Sequence, residues 1–173
     1  MIAFWLFLLF VILQRLIELL IAKRNERILK VQGAIEFDKN GYRVIAAMHV
    51  AFFISLICEK VFFQRTLNTY WIVFAVVFAG AQVLRYWAIK TLGVYWNTKI
   101  LVLPNHKLVN TGLYKYLRHP NYIAVIVEIA VIPLIFSCYL TASIFSVINF
   151  ILLRRRIKIE KIALRKTSIG FAI

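Results

Sequence analysis

Residues able to bind a small polar molecule are concentrated in one short stretch, 108–122, of a chain that is otherwise strongly apolar. Within this stretch, Arg118 and His119 stand immediately before Pro120. Proline favours the first turn of a helix, where its missing N–H costs nothing, so His119 is predicted near the N-cap. Free N–H groups of a first helical turn attract anions. The stretch predicts a ligand cradle at a helix start; a basic interfacial anchor is the alternative.

Two charged residues near the C-terminus, Arg156 and Glu160, add further chemistry. They are four positions apart, which places them on one face of a helix. The planar guanidinium of Arg156 suits a carboxylate or an acidic enol, because it can donate two parallel hydrogen bonds. Glu160 can accept hydrogen bonds from an ammonium group or a ribose. The neighbouring Arg154 and Arg155 are interpreted as interfacial anchors.

Glu128 is the only charged residue between positions 121 and 153. It lies about two helical turns after Asn121, and therefore on the same helix face as the predicted cradle. A charged carboxylate within a membrane is costly, so it marks a candidate functional site. Two interpretations stay open: Glu128 lines a substrate tunnel, or it pairs with Arg85 or Arg15.

Several other kinds of site are not predicted. Cys58 and Cys138 form no metal-binding motif and are interpreted as isolated core thiols, with a disulfide as the alternative. His49 has no partner at metal-ligand spacing, so no metal site is predicted. The chain has no Gly-x-Gly sequence, which excludes the soluble dinucleotide-type cradle.

Composition places these residues in a membrane protein. The chain is 62% hydrophobic with a mean hydropathy of +0.81, whereas soluble domains are about 45–50% apolar. The range 66–84 is uncharged, and a spanning helix needs roughly 20 apolar residues. Of the 22 basic residues, 19 fall in three blocks, 23–43, 85–118 and 154–166. Such blocks mark the cytoplasmic side and contact with a lipid bilayer, and they argue against nucleic-acid binding.

The predicted fold is an all-α integral membrane protein with about five transmembrane helices, a helical hairpin and a cytosolic cofactor pocket. A single membrane domain, 1–173, is expected, with a three-helix part at 1–92 and the cofactor-binding segment, hairpin and basic helix at 93–173. Residues 121–153 must form two helices, because one would be about 50 Å long. The predicted elements are helices from Ile2 to near Lys30, at 42–63 and at 69–90, a loop at 31–40, a short strand or interfacial stretch at 95–104, and a turn at 137–139.

Four pieces of the chain together resemble the isoprenylcysteine carboxyl methyltransferase family and its phospholipid methyltransferase relatives. They are His106-Lys-Leu-Val109, Thr111-Gly112 with Tyr114, Arg118-His-Pro-Asn-Tyr122, and Arg156-Ile-Lys-Ile-Glu160 with Leu164. The resemblance covers roughly 96–164. The N-terminal helices are similar to the short bacterial branch, which is associated with type III polyketide synthases and O-methylation of alkylpyrones.

The resemblance implies S-adenosylmethionine as the methyl donor, with S-adenosylhomocysteine as its product. It assigns catalytic roles to Arg156 and Glu160, and substrate contact to Arg156. Three departures from the family pattern are Ala124 in place of a common glycine, Lys161 in place of a second glutamate, and an end at Ile173 before the usual tyrosine-bearing tail. The implied cofactor contacts are His106, Lys107, Leu108, Val109, Tyr114, His119, Pro120, Asn121, Tyr122 and Glu160.

The expected function is a membrane O-methyltransferase for a hydrophobic acidic acceptor, either an alkylpyrone-like enol or a carboxylate. Such an acceptor is already an anion at neutral pH and needs only to be held, whereas a lipid amine would need a base. The alternatives are isoprenylcysteine carboxyl or phospholipid N-methylation and, from another class, a non-catalytic membrane scaffold. The expected location is the bacterial cytoplasmic membrane, with the active site facing the cytosol.

Overall fold

The computed structural model describes residues 1–104 and 109–167. In this part of the chain there are five α-helices, two short strands and two 3₁₀ turns, and the long connection between the third and fourth helices, 93–119, contains one strand and both turns. The turns are Gly93–Tyr95 and Gly112–Lys115. The helices are α1 (Ile2–Val31), α2 (Lys39–Phe62), α3 (Trp71–Leu92), α4 (Pro120–Ile135) and α5 (Tyr139–Thr167), and the strands are β1 (Ile35–Phe37) and β2 (Ile100–Val102).

Three helices, α1, α2 and α3, are long and apolar enough to cross a membrane. Helix α4 is a shorter apolar helix of 16 residues, about 24 Å, which is less than the roughly 30 Å hydrocarbon core. Helix α5 begins apolar and becomes basic after Leu153. The prediction of an all-α integral membrane protein is confirmed, while the count of five spanning segments stays a prediction.

The predicted hairpin between α4 and α5 is confirmed. The two helices are separated by Phe136–Cys138, and the tight reversal places Ser137 in the left-handed region, with φ of 55°. The first turn of α5 is capped by an acid from another helix. The carboxylate of Glu59, in α2, accepts hydrogen bonds from the backbone N–H groups of Leu140 at 3.2 Å and Thr141 at 2.7 Å. This contact fixes α5 against α2 at the end of the bundle opposite its basic segment.

An apolar core joins all five helices at the hairpin end of the bundle. Two aromatic rings of α1 contact Phe136, those of Phe4 at 5.0 Å in an edge-on arrangement and Phe7 at 5.5 Å. Phe7 in turn contacts Phe78 of α3 at 5.3 Å. Cys138 is buried beside this core and Cys58 is exposed, and both are free thiols. The prediction that the thiols are isolated is confirmed, whereas the prediction that both lie in the core is wrong for the exposed Cys58.

A two-stranded antiparallel sheet covers the basic half of α5. Strand β2 is the short strand predicted within 95–104, but β1 lies in the stretch 31–40 that the sequence predicted as a loop only. Their register pairs Glu36 with Leu101. The sheet packs its apolar side chains against α5, which explains why a three-residue strand can form in a segment without a strong apolar period; the packed residues are Phe37, Ile100, Val102, Ile159, Ala163 and Leu164.

A buried group of charged residues joins α1, α3 and α4 within the bundle. Arg15 lies 2.5 Å from both Glu18 and Glu128. Arg85 contacts Glu128 and lies 3.3 Å from Glu18, and its side chain is 3% exposed. Two positive and two negative charges therefore compensate each other, which is how charges are tolerated within a membrane. Of the two interpretations of Glu128, the structure therefore shows the pairing with arginines, and Glu128 pairs with both Arg15 and Arg85. Its role towards a substrate stays a prediction.

Replacing Glu128 by leucine should lower the free energy of unfolding by about 3–5 kcal/mol, because two buried arginines lose a shared counter-ion. The measurement is thermal unfolding of the purified protein in detergent. The double variant Arg85→Met, Glu128→Leu leaves the neutral Arg15–Glu18 pair and should melt well above the single variant. A single variant that melts with the wild type would contradict a stabilising role for these contacts.

Candidate active site

The first turn of α4 meets the middle of α5 through one tyrosine hydroxyl. Pro120 is the first residue of α4 and His119 is its N-cap, which confirms the predicted helix start. Arg156 donates a hydrogen bond from Nε to the Tyr122 hydroxyl oxygen at 2.9 Å. The same hydroxyl donates to Oε2 of Glu160 at 2.6 Å. Hydrogen bonds thus directly join residues from two sequence motifs that are more than 30 positions apart in the chain.

His119 lies beside the same junction. Its ring stacks on the ring of Tyr122, with centroids 5.1 Å apart and planes inclined by 7°. Its Nδ1 lies 3.9 Å from Oε2 of Glu160. No side chain caps the N-terminus of α4, so the described residues leave that helix end available for a ligand. His119 and Glu160 therefore face one small volume from two helices.

The non-helical segment after α3 forms the other side of this volume and is held by α1. Asn25 donates from its side-chain nitrogen to the backbone oxygens of Gly93 at 3.1 Å and Trp96 at 2.8 Å. Asn97 donates to the backbone oxygen of Ala22 at 3.0 Å. The bond from Asn25 to Trp96 pairs a backbone oxygen of the irregular segment, and the other two bonds attach this segment to α1; pairing within the protein is the condition for irregular backbone at membrane depth.

The segment also contacts α5 and the sheet. Arg156 donates from Nη2 to the backbone oxygen of Thr98 at 2.6 Å. Lys99 donates to Glu26 at 2.7 Å and lies 3.5 Å from Glu36. This hydrogen bond to Glu26 is the main reason that the pKa of Lys99 is raised, and it keeps the lysine charged at neutral pH.

These elements enclose a partly open cavity of about 130 Å³. Five of the predicted cofactor residues line it, and Arg156 lines it as well. Burial, with a smaller effect from the Glu160 carboxylate, raises the pKa of Tyr114 to about 12, so its phenol is neutral at physiological pH. The lining residues are Leu92, Tyr95, Trp96, Asn97, Lys99, Ile100, Leu101, Val102, Tyr114, Arg118, His119, Asn121, Tyr122, Arg156 and Glu160.

Three of the remaining predicted site residues do not line the cavity. Pro120 is buried in the α4 start, and Val109 is half-buried and does not line the cavity. Glu128 is also absent from the lining, but Arg85 connects it to the site by donating to the Asn121 side-chain oxygen at 3.3 Å. The predicted cofactor residues at 106–108 are outside the described residues; they are His106, Lys107 and Leu108.

The sequence predicts that the non-helical segment at 95–104 suits a binding site, because irregular backbone at membrane depth is tolerated where it lines a cavity. Residues from 92 to 102 do line the cavity. Sequence reasoning missed the individual contacts: it mentioned Lys99 only as a neighbour of a family glutamine position and gave no ligand role to the other lining residues of this segment. A larger groove of about 640 Å³ lies along α3, but all five of its lining residues belong to that one helix, so it is an open surface furrow.

Comparison with known proteins identifies the class of protein that this fold and site belong to. Residues 71–166 match the isoprenylcysteine carboxyl methyltransferase (ICMT) family, and the chain therefore belongs to this family of membrane methyltransferases. The chain is 45% identical to the Bacillus subtilis protein YpbQ over 96% of this chain and 99% of that protein. It is 30% identical to a Haemophilus influenzae protein over 87% of this chain and 88% of the relative. Both relatives are described as uncharacterized. No solved structure matches the chain.

The variant Tyr122→Phe should lower the free energy of unfolding by about 1–3 kcal/mol, because the buried Nε of Arg156 then loses its hydrogen-bond acceptor. Thermal unfolding in detergent measures the effect. Tyr116→Phe is the matched control, since Tyr116 is 79% exposed. Equal melting temperatures for the two variants would show that the hydroxyl junction does not contribute to stability.

Proposed function

We propose that this protein is an S-adenosylmethionine-dependent O-methyltransferase that acts on a hydrophobic acidic acceptor, an alkylpyrone-like enol or a carboxylate. One observation carries the proposal: Tyr122 joins Arg156 and Glu160 at the uncapped start of α4. Residues 1–173 act as one membrane domain in this proposal, in which 1–92 support the binding residues of 93–173. A type III polyketide synthase would supply an alkylpyrone acceptor.

The residues around the cavity fit the proposed cofactor, which when bound supplies an electrophilic methyl group on a positively charged sulfur. The start of α4, with His119 beside it, suits a carboxylate. Glu160 can accept hydrogen bonds from an ammonium or ribose, and the rings of Tyr114 and Tyr122 can contact a flat base or a cation. Ligand pockets typically measure about 300–1,000 Å³. The cavity encloses about 130 Å³ and is partly open, so a ligand of the cofactor's size would extend beyond the enclosed part.

Arg156 is the proposed holder of the acceptor oxygen. Its side chain is largely buried, and its Nε and Nη2 are fixed by Tyr122 and by the backbone of Thr98. Its Nη1 has no hydrogen bond to a described residue, so a donor of fixed direction is available beside Glu160. Because methyl transfer is an in-line displacement, alignment of the acceptor and exclusion of water are the main tasks of the protein.

The charges that line the cavity favour an anionic acceptor over a lipid amine. Arg118 and Arg156 contribute two positive charges, and Glu160 contributes one negative charge. Lys99 is compensated by Glu26. An ammonium acceptor would need a base to remove its proton before methyl transfer, whereas an acidic oxygen acceptor needs none and can be held by an arginine. A prenylcysteine carboxylate satisfies the same chemistry as an acidic enol and is the second candidate.

The same charges support the proposed orientation. Basic residues of α1, α3 and α5 lie towards the helix ends at which the cavity is built, whereas the hairpin Phe136–Cys138 lies at the other end. Positively charged helix ends mark the cytoplasmic side of a membrane. We therefore place the active site on the cytosolic face of a bacterial cytoplasmic membrane.

Binding of S-adenosylhomocysteine, measured by isothermal titration calorimetry, tests the cofactor. The wild-type protein should bind it, and Glu160→Gln should weaken binding by about 10-fold, because the amide oxygen still accepts a hydrogen bond from the ligand but lacks the charge that strengthens it. Asp38→Asn is the control, since Asp38 caps α2 away from the cavity. Absence of binding by the wild type would favour a non-catalytic scaffold.

Transfer of a labelled methyl group tests the acceptor, with an alkylated hydroxypyrone, a prenylcysteine and phosphatidylethanolamine compared in parallel. We expect the two acidic compounds to be methylated in preference to the amine. Preferential labelling of phosphatidylethanolamine would instead identify the protein as a phospholipid N-methyltransferase.

Arg156→Ala should reduce kcat/KM for the acidic acceptor by about 100-fold or more, because the acceptor oxygen loses a charged partner in a water-excluded site. Affinity for S-adenosylhomocysteine should fall far less. Arg155→Ala is the matched control, because Arg155 is exposed and pairs with Asp38 at 2.9 Å. Unchanged turnover in Arg156→Ala would remove this residue from the substrate role.

A further inference from the structure

The indole N–H of Trp96 is a buried hydrogen-bond donor without an acceptor among the residues that the structure describes. The side chain is 2% exposed and lines the cavity beside Tyr122 and Arg156. More than about 90% of buried polar groups in proteins are hydrogen-bonded, because an unpaired buried donor is destabilising. A donor left unpaired at a cavity therefore calls for an explanation.

Trp96 differs from the other two buried side chains with an unpaired polar atom. Gln14 has one unpaired oxygen, but its amide nitrogen donates to Glu18. Arg65 has one unpaired nitrogen, but its Nη2 lies 3.3 Å from Glu59. The indole N–H is the only polar group of the Trp96 side chain, so its entire hydrogen-bonding capacity is unused. Neither Gln14 nor Arg65 lines the cavity.

The position of Trp96 is fixed by its surroundings. Asn25 donates to its backbone oxygen at 2.8 Å, and the following residue, Asn97, donates to the backbone of α1. Two positions further along the chain, Thr98 accepts the hydrogen bond from Arg156. The bonds that hold the backbone of this segment thus bring the indole to the cavity while leaving its N–H unpaired.

We propose that the Trp96 indole donates a hydrogen bond to an acceptor oxygen or nitrogen of the ligand bound in this cavity, which makes Trp96 a ligand-binding residue. The inference rests on the proposed methyl-transfer function. Two ligands offer such an atom: the cofactor, through its carboxylate, ribose or base, and the methyl acceptor, through its acidic oxygen. Binding pairs the donor, so the unpaired N–H of the free protein favours the bound state.

Trp96→Phe, which removes the N–H and keeps an aromatic ring, tests this assignment. We expect the affinity for one ligand to fall by about fivefold to 10-fold, the loss of a single hydrogen bond. The ligand-free variant should melt below the wild type, because the smaller ring leaves a void where the fully buried indole packs, so the ligand affinity and not the melting temperature carries the test. Trp71→Phe is the matched control, since Trp71 begins α3 at the opposite end from the cavity and is 42% exposed.

The two ligand sources are distinguished by two measurements on the full-length protein in detergent. Weaker binding of S-adenosylhomocysteine assigns the hydrogen bond to the cofactor. Unchanged binding with a raised KM for the hydroxypyrone assigns it to the acceptor. A folded variant with neither change overturns the assignment while the proposed function stands. A wild-type protein that neither binds S-adenosylhomocysteine nor methylates the pyrone overturns both.

If Trp96→Phe does not fold, benzothienylalanine introduced at position 96 provides the same test. This residue keeps the two-ring shape of tryptophan and replaces the N–H by sulfur. The expected losses and the outcomes that overturn the assignment are the same as for Trp96→Phe.

Discussion

The hydroxyl of Tyr122 is the contact on which the candidate site depends. It accepts from Arg156 and donates to Glu160, and so it fixes the start of α4 against the basic half of α5. The geometry follows from the proline helix start: Tyr122 occupies the first turn because Pro120 is the first residue of α4. Without this junction, no hydrogen bond would hold His119, at the start of α4, close to Glu160, in α5, and the cavity that both residues line would not be fixed.

Two groups of charged residues in the bundle differ in how completely their charges and hydrogen-bonding groups are paired. In the first, Arg15, Glu18, Arg85 and Glu128 compensate each other within the helices, which suits a structural contact between them. In the second, around the cavity, positive charge exceeds negative charge and the Trp96 N–H has no described acceptor. An unpaired polar group is destabilising in surroundings of low dielectric constant. A buried polar group that lacks a partner at a cavity therefore indicates a ligand more strongly than a charged residue that is already paired.

Much of the fold could be predicted from the sequence because hydropathy and helix-start chemistry are local. Apolar runs indicated the long helices, Pro120 indicated the start of α4, and the 33 residues at 121–153 required a hairpin. The strand β1 was missed because three residues carry no periodicity; they form a strand by pairing with β2 and packing on α5. The sequence offered two interpretations of Glu128 and could not choose between them, and it gave no sign that the Trp96 indole is unpaired, since both depend on partners that are distant in the chain.

The sequence by itself determined the class of protein, the helix start at Pro120 and six of the side chains that line the cavity, because these follow from composition and from motifs that each lie within a few residues. Only the tertiary structure decided that Glu128 faces two arginines and that the segment 92–102 completes the cavity. It also decided that the indole of Trp96 remains unpaired among the described residues. The physical reason is that the role of a polar group within a membrane depends on its hydrogen-bond and ion-pair partners, and these partners come from other helices.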